Sequence, residues 1–403
     1  MPSPNTSGKN WIYNKLKSKL GITKGCYELF GQPFVILWLA SSSAVKHRFF
    51  SELIKRLSIY LLALFTTKMS KKVSLKDIAN KVGVSTAAVS YVLNGLEKEK
   101  RVGADVVKRI KQAAKELNYQ PNQIARSLRK GATSTIGLIV ADIANPFFGH
   151  LARIIEDEAI RYNYTVIFGS SDESCSKSES LLDTFLNRQV DGFIIVPSEG
   201  CDEQVRSLWK KNIPVVLIDR YIRELETNYV ILDNFNAVYD SVTHLLSKGH
   251  KRISLIVYRS SLIHMEERIR GYVRSMSDHG LDDFICIEEV TYHSMNDEMD
   301  GVIRRISQED KTDALIFATN ALSLAGLYAL KKYQIKVPDE LAIVGFDGNE
   351  AFDFFDPPLT YIQQPLEEMG QLAVQLLVSQ LKGVGEISQV ILKPQLVLRT
   401  SCG

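Results

Sequence analysis

SLKDIANKVGVSTAAVSYVLNG, residues 74–95, decides how the chain is organised. Leu75, Ile78, Ala79 and Val82 recur at helical spacing, and Ser74 followed three residues later by Asp77 reads as a capped helix start. Gly83 permits a tight turn. Ser85 offers a second cap, and Val89, Val92 and Leu93 give the next short helix a stripe to bury before Asn94-Gly95 stops it. Two short helices joined by a glycine-containing turn form a helix-turn-helix, whose second helix enters the DNA major groove. Many structural hairpins share that periodicity, so the outward residues carry the distinction. Thr86, Ala87, Ser90 and Tyr91 face away from the buried stripe, and small or hydroxyl-bearing side chains let a helix approach base edges closely.

The charge follows the same division. The net charge of +3 over 403 residues hides a basic head of 14 Lys/Arg against 5 Asp/Glu in residues 70–131. Residues 1–69 carry 10 against 2, which leaves 25 against 39 for residues 132–403. A basic reader on an acidic body is the pattern of a nucleic-acid binder with a separate globular module. A chain of this length holds two or three domains. The five cysteines (Cys26, Cys175, Cys201, Cys286, Cys402) are scattered without a metal or redox spacing, which suits a reducing compartment.

Residues 1–69 contain apolar runs at 33–40 and 59–65, both well short of the roughly 20 residues that span a bilayer. A signal peptide with FVILWLA as its apolar part would need an unusually long leading region and would export a DNA-binding head away from DNA. The expectation is that translation starts at Met69 and that this segment lies outside the natural protein or is disordered.

After the two helices, 96–103 is a charged connector, and 104–119 reads as a third helix with Val106, Ile110, Ala113, Ala114 and Leu117 on one face. In NYQPNQIARSLRKG (118–131), Pro121 suits a first helical position and Gly131 an end. About nine residues are too few for a stable isolated helix. Ile124, Ala125 and Leu128 nevertheless share a face, as in a segment that orders when two copies meet on DNA. From residue 135, Val/Ile-rich runs at 136–141, 165–169, 192–197, 215–219, 253–258, 285–289, 314–318 and 342–346 alternate with helical stretches such as 148–162 and 178–189. That alternation predicts parallel sheets buried on both faces, in two similar lobes. Ligands of such sheets lie beyond the carboxyl ends of the strands, at 142–148, 170–173, Asp219-Arg220, Asn320 and Asp347. Carboxylates and amides with aromatic neighbours suit a polyhydroxyl ligand.

DIANKVGVSTAAVSYVLNG, NYQPNQIARSLRKG, TIGLIVADIANPFF, DGFIIVP, LAIVGFDG and LTYIQQP, in this order, resemble the lactose-repressor family of bacterial transcription regulators over about residues 70–400. The resemblance implies an all-α helix-turn-helix head (70–119), a hinge helix (120–131) and an α/β, doubly wound, two-lobed sensor like periplasmic binding proteins (132–403). The lobes would comprise 132–233 with 365–389, and 234–364 with 390–403. It assigns DNA contact to Ser85, Thr86, Ala87, Ser90, Tyr91 and Asn94, and to Asn122, Ala125 and Leu128 of the hinge, with Leu128 wedged into the minor groove. It assigns effector contact to Phe147, Phe148, Asp219, Arg268, Asn320, Asp347 and Gln364. Expected partners are a near-palindromic duplex, a second copy of the chain and a sugar or sugar phosphate, in the cytoplasm, with no cofactor, metal or membrane.

Two residues depart from the family pattern. Tyr91 replaces a common arginine and Ala321 a common aspartate, which affects the operator and one wall of the pocket. Two other classes of function remain to be weighed. An exported or tethered sugar receptor would use the body and leave the head idle. An enzyme would need a motif, yet GxxxxGK[ST], GxGxxG, GxSxG and HExxH are absent. The histidines, His150, His244, His250, His264, His279 and His293 among them, lack metal spacing and are expected in core or solvated roles.

Overall fold

The computed structural model describes residues 73–120, 131–308 and 312–403, which fall into two compact units divided at Pro121. The first unit holds helices α1 (Leu75–Val82), α2 (Thr86–Leu93) and α3 (Ala104–Glu116). At the start of α1 the Asp77 amide donates to Ser74 Oγ and the Ser74 amide donates to the Asp77 carboxylate, the reciprocal cap that the S-x-x-D spacing predicts. Gly83 ends α1 at φ 74°, a left-handed conformation that glycine adopts without steric cost, so α2 can begin three residues later. Ile78, Ala79, Val82, Val89, Val92, Ile110 and Ala113 close one small core among the three helices. Of the α3 stripe, Ile110 and Ala113 are fully inside, while Val106, Ala114 and Leu117 pack at its edge. The basic side chains of α3 divide. Lys111 pairs with Glu97, and Arg109 donates to the Val82 carbonyl at the end of α1, so both brace the head itself.

The second unit contains two six-stranded sheets. The first comprises β1 (Thr135–Val140), β2 (Thr165–Ser170), β3 (Gly192–Ile195), β4 (Val215–Ile218), β5 (Asn228–Leu232) and β11 (Gln389–Leu392), in the order β11-β5-β4-β3-β1-β2 and wholly parallel. The second comprises β6 (Ile253–Tyr258), β7 (Cys286–Val290), β8 (Ala314–Phe317), β9 (Ala342–Phe346), β10 (Thr360–Gln363) and β12 (Gln395–Val397), in the order β12-β10-β9-β8-β6-β7. Only β10 with β12 is antiparallel. Each sheet reverses its strand order beside its first strand, the crevice where doubly wound folds bind ligands.

Helices α4 (Pro146–Arg161), α5 (Cys175–Asn187) and α6 (Asp202–Lys210) belong to the first lobe. The second carries α7 (Asn234–Ser247), α8 (Ile263–Asp278), α9 (Met295–Gln308), α10 (Asn320–Tyr333) and α11 (Glu350–Phe354). Helix α12 (Leu366–Leu381) returns to the first lobe, where Met369, Ala373 and Leu377 join Leu151 and Ile155 in its core.

The chain thus passes between lobes after Leu232, around Pro365 and near Pro394. The last crossing corrects the expected boundary: the stretch 390–403 was assigned to the second lobe, but β11 pairs with β5 of the first sheet, and only β12 joins the second. Among the described residues no helix is long and apolar enough to cross a membrane.

Helix α8 crosses α7 closely enough that a Cβ on Gly271 would sit 2.2 Å from the Phe235 carbonyl oxygen. Backbone cannot yield as a flexible side chain can. Gly271→Ala is therefore expected to force the helices apart and cost about 1–3 kcal/mol. Thermal unfolding of the second unit would register this, and an unchanged melting temperature would show that the crossing tolerates a methyl group.

Candidate functional site

In the head, Thr86, Ala87, Ser90 and Tyr91 lie on the side of α2 opposite the buried Val89 and Val92, with Thr86 and Ala87 exposed and Ser90 and Tyr91 half-buried. Ser85 and Asn94 bound this face but are already engaged. The Ala88 amide donates to Ser85 Oγ at 3.1 Å, and Asn94 Nδ2 donates to the Ser90 carbonyl at 2.6 Å. These two residues cap the helix, so a DNA contact would be a second role for each. Asn122, Ala125 and Leu128 lie outside the described residues.

In the body, the carboxyl ends of both sheets open on one cleft of about 410 Å³, within the usual range for small-molecule sites. Phe147, Phe148, Asp219, Arg268, Asn320, Asp347 and Gln364, drawn from six separated places in the sequence, all line it. Phe147 and Phe148 begin α4 and meet edge to face at 4.9 Å, forming an apolar wall. Asp219 and Asp347 follow β4 and β9 in left-handed conformations, at φ 68° and 58°. Such a backbone costs non-glycine residues on the order of 1 kcal/mol, and strain of this kind gathers at ligand sites.

Arg268 lies on α8, buried at 2% exposure, with its guanidinium 3.8 Å from the centre of the Phe346 ring. Its Nε donates to Asn234 Oδ1 at 2.8 Å and its Nη1 to the Ala318 carbonyl. Asn234 is itself fixed, because its Nδ2 donates to the Leu232 carbonyl. Burial lowers the Arg268 pKa to about 10, although Asp347 and Asp219 counter it. Burial also raises Asp347 to about 7, against the opposing pull of Arg268 and of Gln364 Nε2, which donates to its carboxylate at 2.8 Å. Asp219 is raised by the same cause.

Several cleft residues were outside the assigned set. Glu173 and Arg220 appear among the strand ends, but their pairing across the cleft floor does not. Arg220 Nη1 and Nη2 donate to Glu173 at 2.8 and 2.6 Å, and Nη1 also to the Pro197 carbonyl at 3.0 Å. Asp219 is a looser neighbour of Arg220, at 3.4 Å. Burial alone would lower the Arg220 pKa; Glu173 outweighs it and the group is raised.

His264, expected in a core or solvated role, is buried on the cleft wall with Nδ1 unpartnered. Burial first, then Arg220 and Arg268, hold it well below its usual pKa, so it is neutral. Tyr292 bridges the lobes by donating to Asp142 at 2.6 Å. Ser261 donates to Glu199 across the same divide, and Arg223 reaches Glu266 at 3.0 Å. Ala321 lies on the cleft wall, as its position beside Asn320 implies.

A helix-turn-helix head joined to a two-lobed cleft protein defines a ligand-responsive DNA-binding regulator. Residues 74–122 match the family described as bacterial regulatory proteins, lacI family, and residues 242–402 match the periplasmic binding protein-like domain. The HTH-type transcriptional repressor CytR of Escherichia coli strain K12 is 31% identical over 83% of this chain and 97% of its own. Catabolite control protein A of Priestia megaterium is 32% identical over 76% and 91%. Among solved structures, the complex of the transcriptional regulator CelR with cellobiose is 26% identical, with a TM-score of 0.60 over 82% of this chain and 99% of that one.

The chain belongs to the lacI family and is a sequence-specific DNA-binding transcription regulator. The exported-receptor alternative finds no support: residues 74–122 match a family of DNA-binding regulators, and CytR is matched over 97% of its own length.

Proposed function

We propose that this chain is a repressor that binds a near-palindromic operator as a homodimer in the cytoplasm, and that a sugar held in the cleft sets its operator affinity. The carrying observation is the convergence of these seven residues, from six separated places in the sequence, on one cleft whose walls come from both lobes. A ligand touching both lobes binds their closed arrangement more tightly than the open one, and shifts the equilibrium by that difference. The described contacts between lobes, Tyr292 with Asp142 and Ser261 with Glu199, would make and break in this movement. Two heads related by a two-fold axis read a two-fold symmetric site, with α2 presenting Thr86, Ala87, Ser90 and Tyr91. In the hinge, Asn122, Ala125 and Leu128 would complete the contact at the operator centre. Cellobiose in the CelR complex supports a sugar as ligand class.

Selection of bound sites from random duplexes, with and without a panel of sugars, tests the reading. A symmetric consensus whose affinity moves with one sugar is expected. With six or more phosphates neutralised, affinity should fall roughly a thousandfold between about 50 and about 200 mM salt. A flat salt profile or an asymmetric, sugar-indifferent site would refute the proposal.

A further inference from the structure

Resting on the reading of the cleft as the effector site, we infer that the effector is an unphosphorylated, hydrogen-bond-donating polyhydroxyl compound, and that the cleft rejects the phosphate ester of the same sugar. Four buried polar atoms of the cleft residues lack a hydrogen-bond partner: Arg220 Nε, His264 Nδ1 and two amide oxygens, which can only accept. Asn320 Nδ2 donates to the Asp347 backbone carbonyl at 3.0 Å. A carbonyl only accepts, which fixes the amide and leaves Asn320 Oδ1 buried without a partner. Gln364 likewise spends its Nε2 on the Asp347 carboxylate, and its Oε1 is buried and unpartnered. The residues that carry these two orphaned acceptors are 1% and 2% exposed, and both line the cleft. A hydroxyl group can donate to each of them and to Asp219 or Asp347 as well. A phosphate ester brings oxygens that only accept, and buried acceptors left unpaired cost about 1–3 kcal/mol each.

Charge leads to the same conclusion. Four carboxylates (Asp142, Glu173, Asp219, Asp347) line the cleft against two guanidiniums (Arg220, Arg268). Both cations already serve the protein. Arg220 lies in a two-pronged pair with Glu173, and Arg268 is tied to Asn234 and the Ala318 carbonyl. His264 adds no charge.

Two helix starts at the cleft, those of α4 and α10, already carry side-chain caps. Asn145 Oδ1 accepts from Phe147 N at the head of α4, where Pro146 offers no N–H, and Thr319 Oγ1 accepts from Leu322 N on α10. An incoming dianion would meet Glu173 beside Arg220 and, at α4, a helix start whose first N–H groups are already spent. The two rings of Phe147 and Phe148 suit the apolar face of a sugar.

Titration calorimetry on the full chain with matched pairs tests the inference: D-ribose and ribose 5-phosphate, D-glucose and glucose 6-phosphate, D-fructose and fructose 1-phosphate. At least one free sugar should bind with its ester weaker by about a hundredfold or more, equivalent to roughly 2.7 kcal/mol. An ester that binds as tightly as its free sugar overturns the inference, and so does a panel in which no free sugar binds below about 10 mM. Glu173→Gln would release Arg220 from its partner and should move the ratio of ester to free-sugar affinity at least about tenfold toward the ester. An unmoved ratio with a measurable free-sugar affinity would show that charge compensation is not what excludes the ester. Failure of the operator selection, by contrast, would leave these binding data standing and tell against the regulatory reading alone.

Discussion

Arg268→Met should abolish the effector's influence on operator affinity while the head still binds its operator. Methionine keeps an unbranched stem of similar bulk over the Phe346 ring and removes the guanidinium. That group pulls on both Asp219 and Asp347, and both acids hold Arg268 charged against the effect of burial. Without it the two carboxylates would be still harder to ionise, and any effector hydroxyl that donates to them would lose a charged acceptor. Truncating one member of a buried, hydrogen-bonded charged set typically costs 2–5 kcal/mol of binding, or about thirtyfold to several thousandfold in effector affinity. The Asn234 amide oxygen and the Ala318 carbonyl would also lose a donor, so a modest fall in melting temperature is expected alongside. Operator affinity measured by anisotropy, as a function of effector, separates the effects. A response at the wild-type effector concentration would defeat the assignment. A loss of effector-free operator affinity as large as the loss of response would mark Arg268 as structural only.

The parts of this molecule that follow local rules could be read from the sequence. The cap at Ser74 and Asp77, the turn at Gly83 and the stripe of Val89 and Val92 are each set within one or two helical turns. The parallel strands announced themselves as Val/Ile runs, and their carboxyl ends fixed where the acids and amides would gather. Strand β10 (TYIQ) has no apolar run of its own, and β5 (NYVIL) has only a short one between Asn228 and Asp233.

The missing cleft residues share a different cause. His264 opens α8 and Tyr292 follows β7, so neither stands at the end of a central strand. Both reach the cleft only because the second lobe folds that way. The Arg220–Glu173 pair spans 47 residues, and no spacing rule marks it. In the same way, Ser85 and Asn94 were assigned to DNA by resemblance, whereas their side chains also close the two ends of α2.

Asp347→Asn should raise the stability of the second unit above neutral pH and at the same time weaken effector binding. In the folded protein burial lifts the Asp347 pKa to about 7, from 3.8 for the free side chain. The groups set around it are Arg268 from α8, Asp219 after β4 and Gln364 after β10, with Asn320 on its backbone carbonyl. Between pH 4 and 7 the folded state holds a proton that the unfolded chain has released. Stability therefore falls as pH rises through this window and levels off above about 7. The penalty is bounded by roughly 4 kcal/mol and is smaller to the extent that the cleft admits water. Asparagine keeps an acceptor for Gln364 Nε2 and never ionises. The variant should consequently melt roughly 2–6 °C higher than wild type at pH 8, with little difference at pH 5.

An effector whose hydroxyls donate to Asp347 favours the ionised form. Its binding to wild type should then release a proton and strengthen toward high pH, by at most about tenfold per unit as pH approaches 7. In the variant that slope should vanish. Calorimetry in buffers of different ionisation enthalpy counts the released proton directly. Equal melting shifts at pH 5 and pH 8, or an undiminished proton release in the variant, would place the titration elsewhere in the cleft. Asp219, buried beside Arg220 and raised in the same direction, would then be the next group to replace.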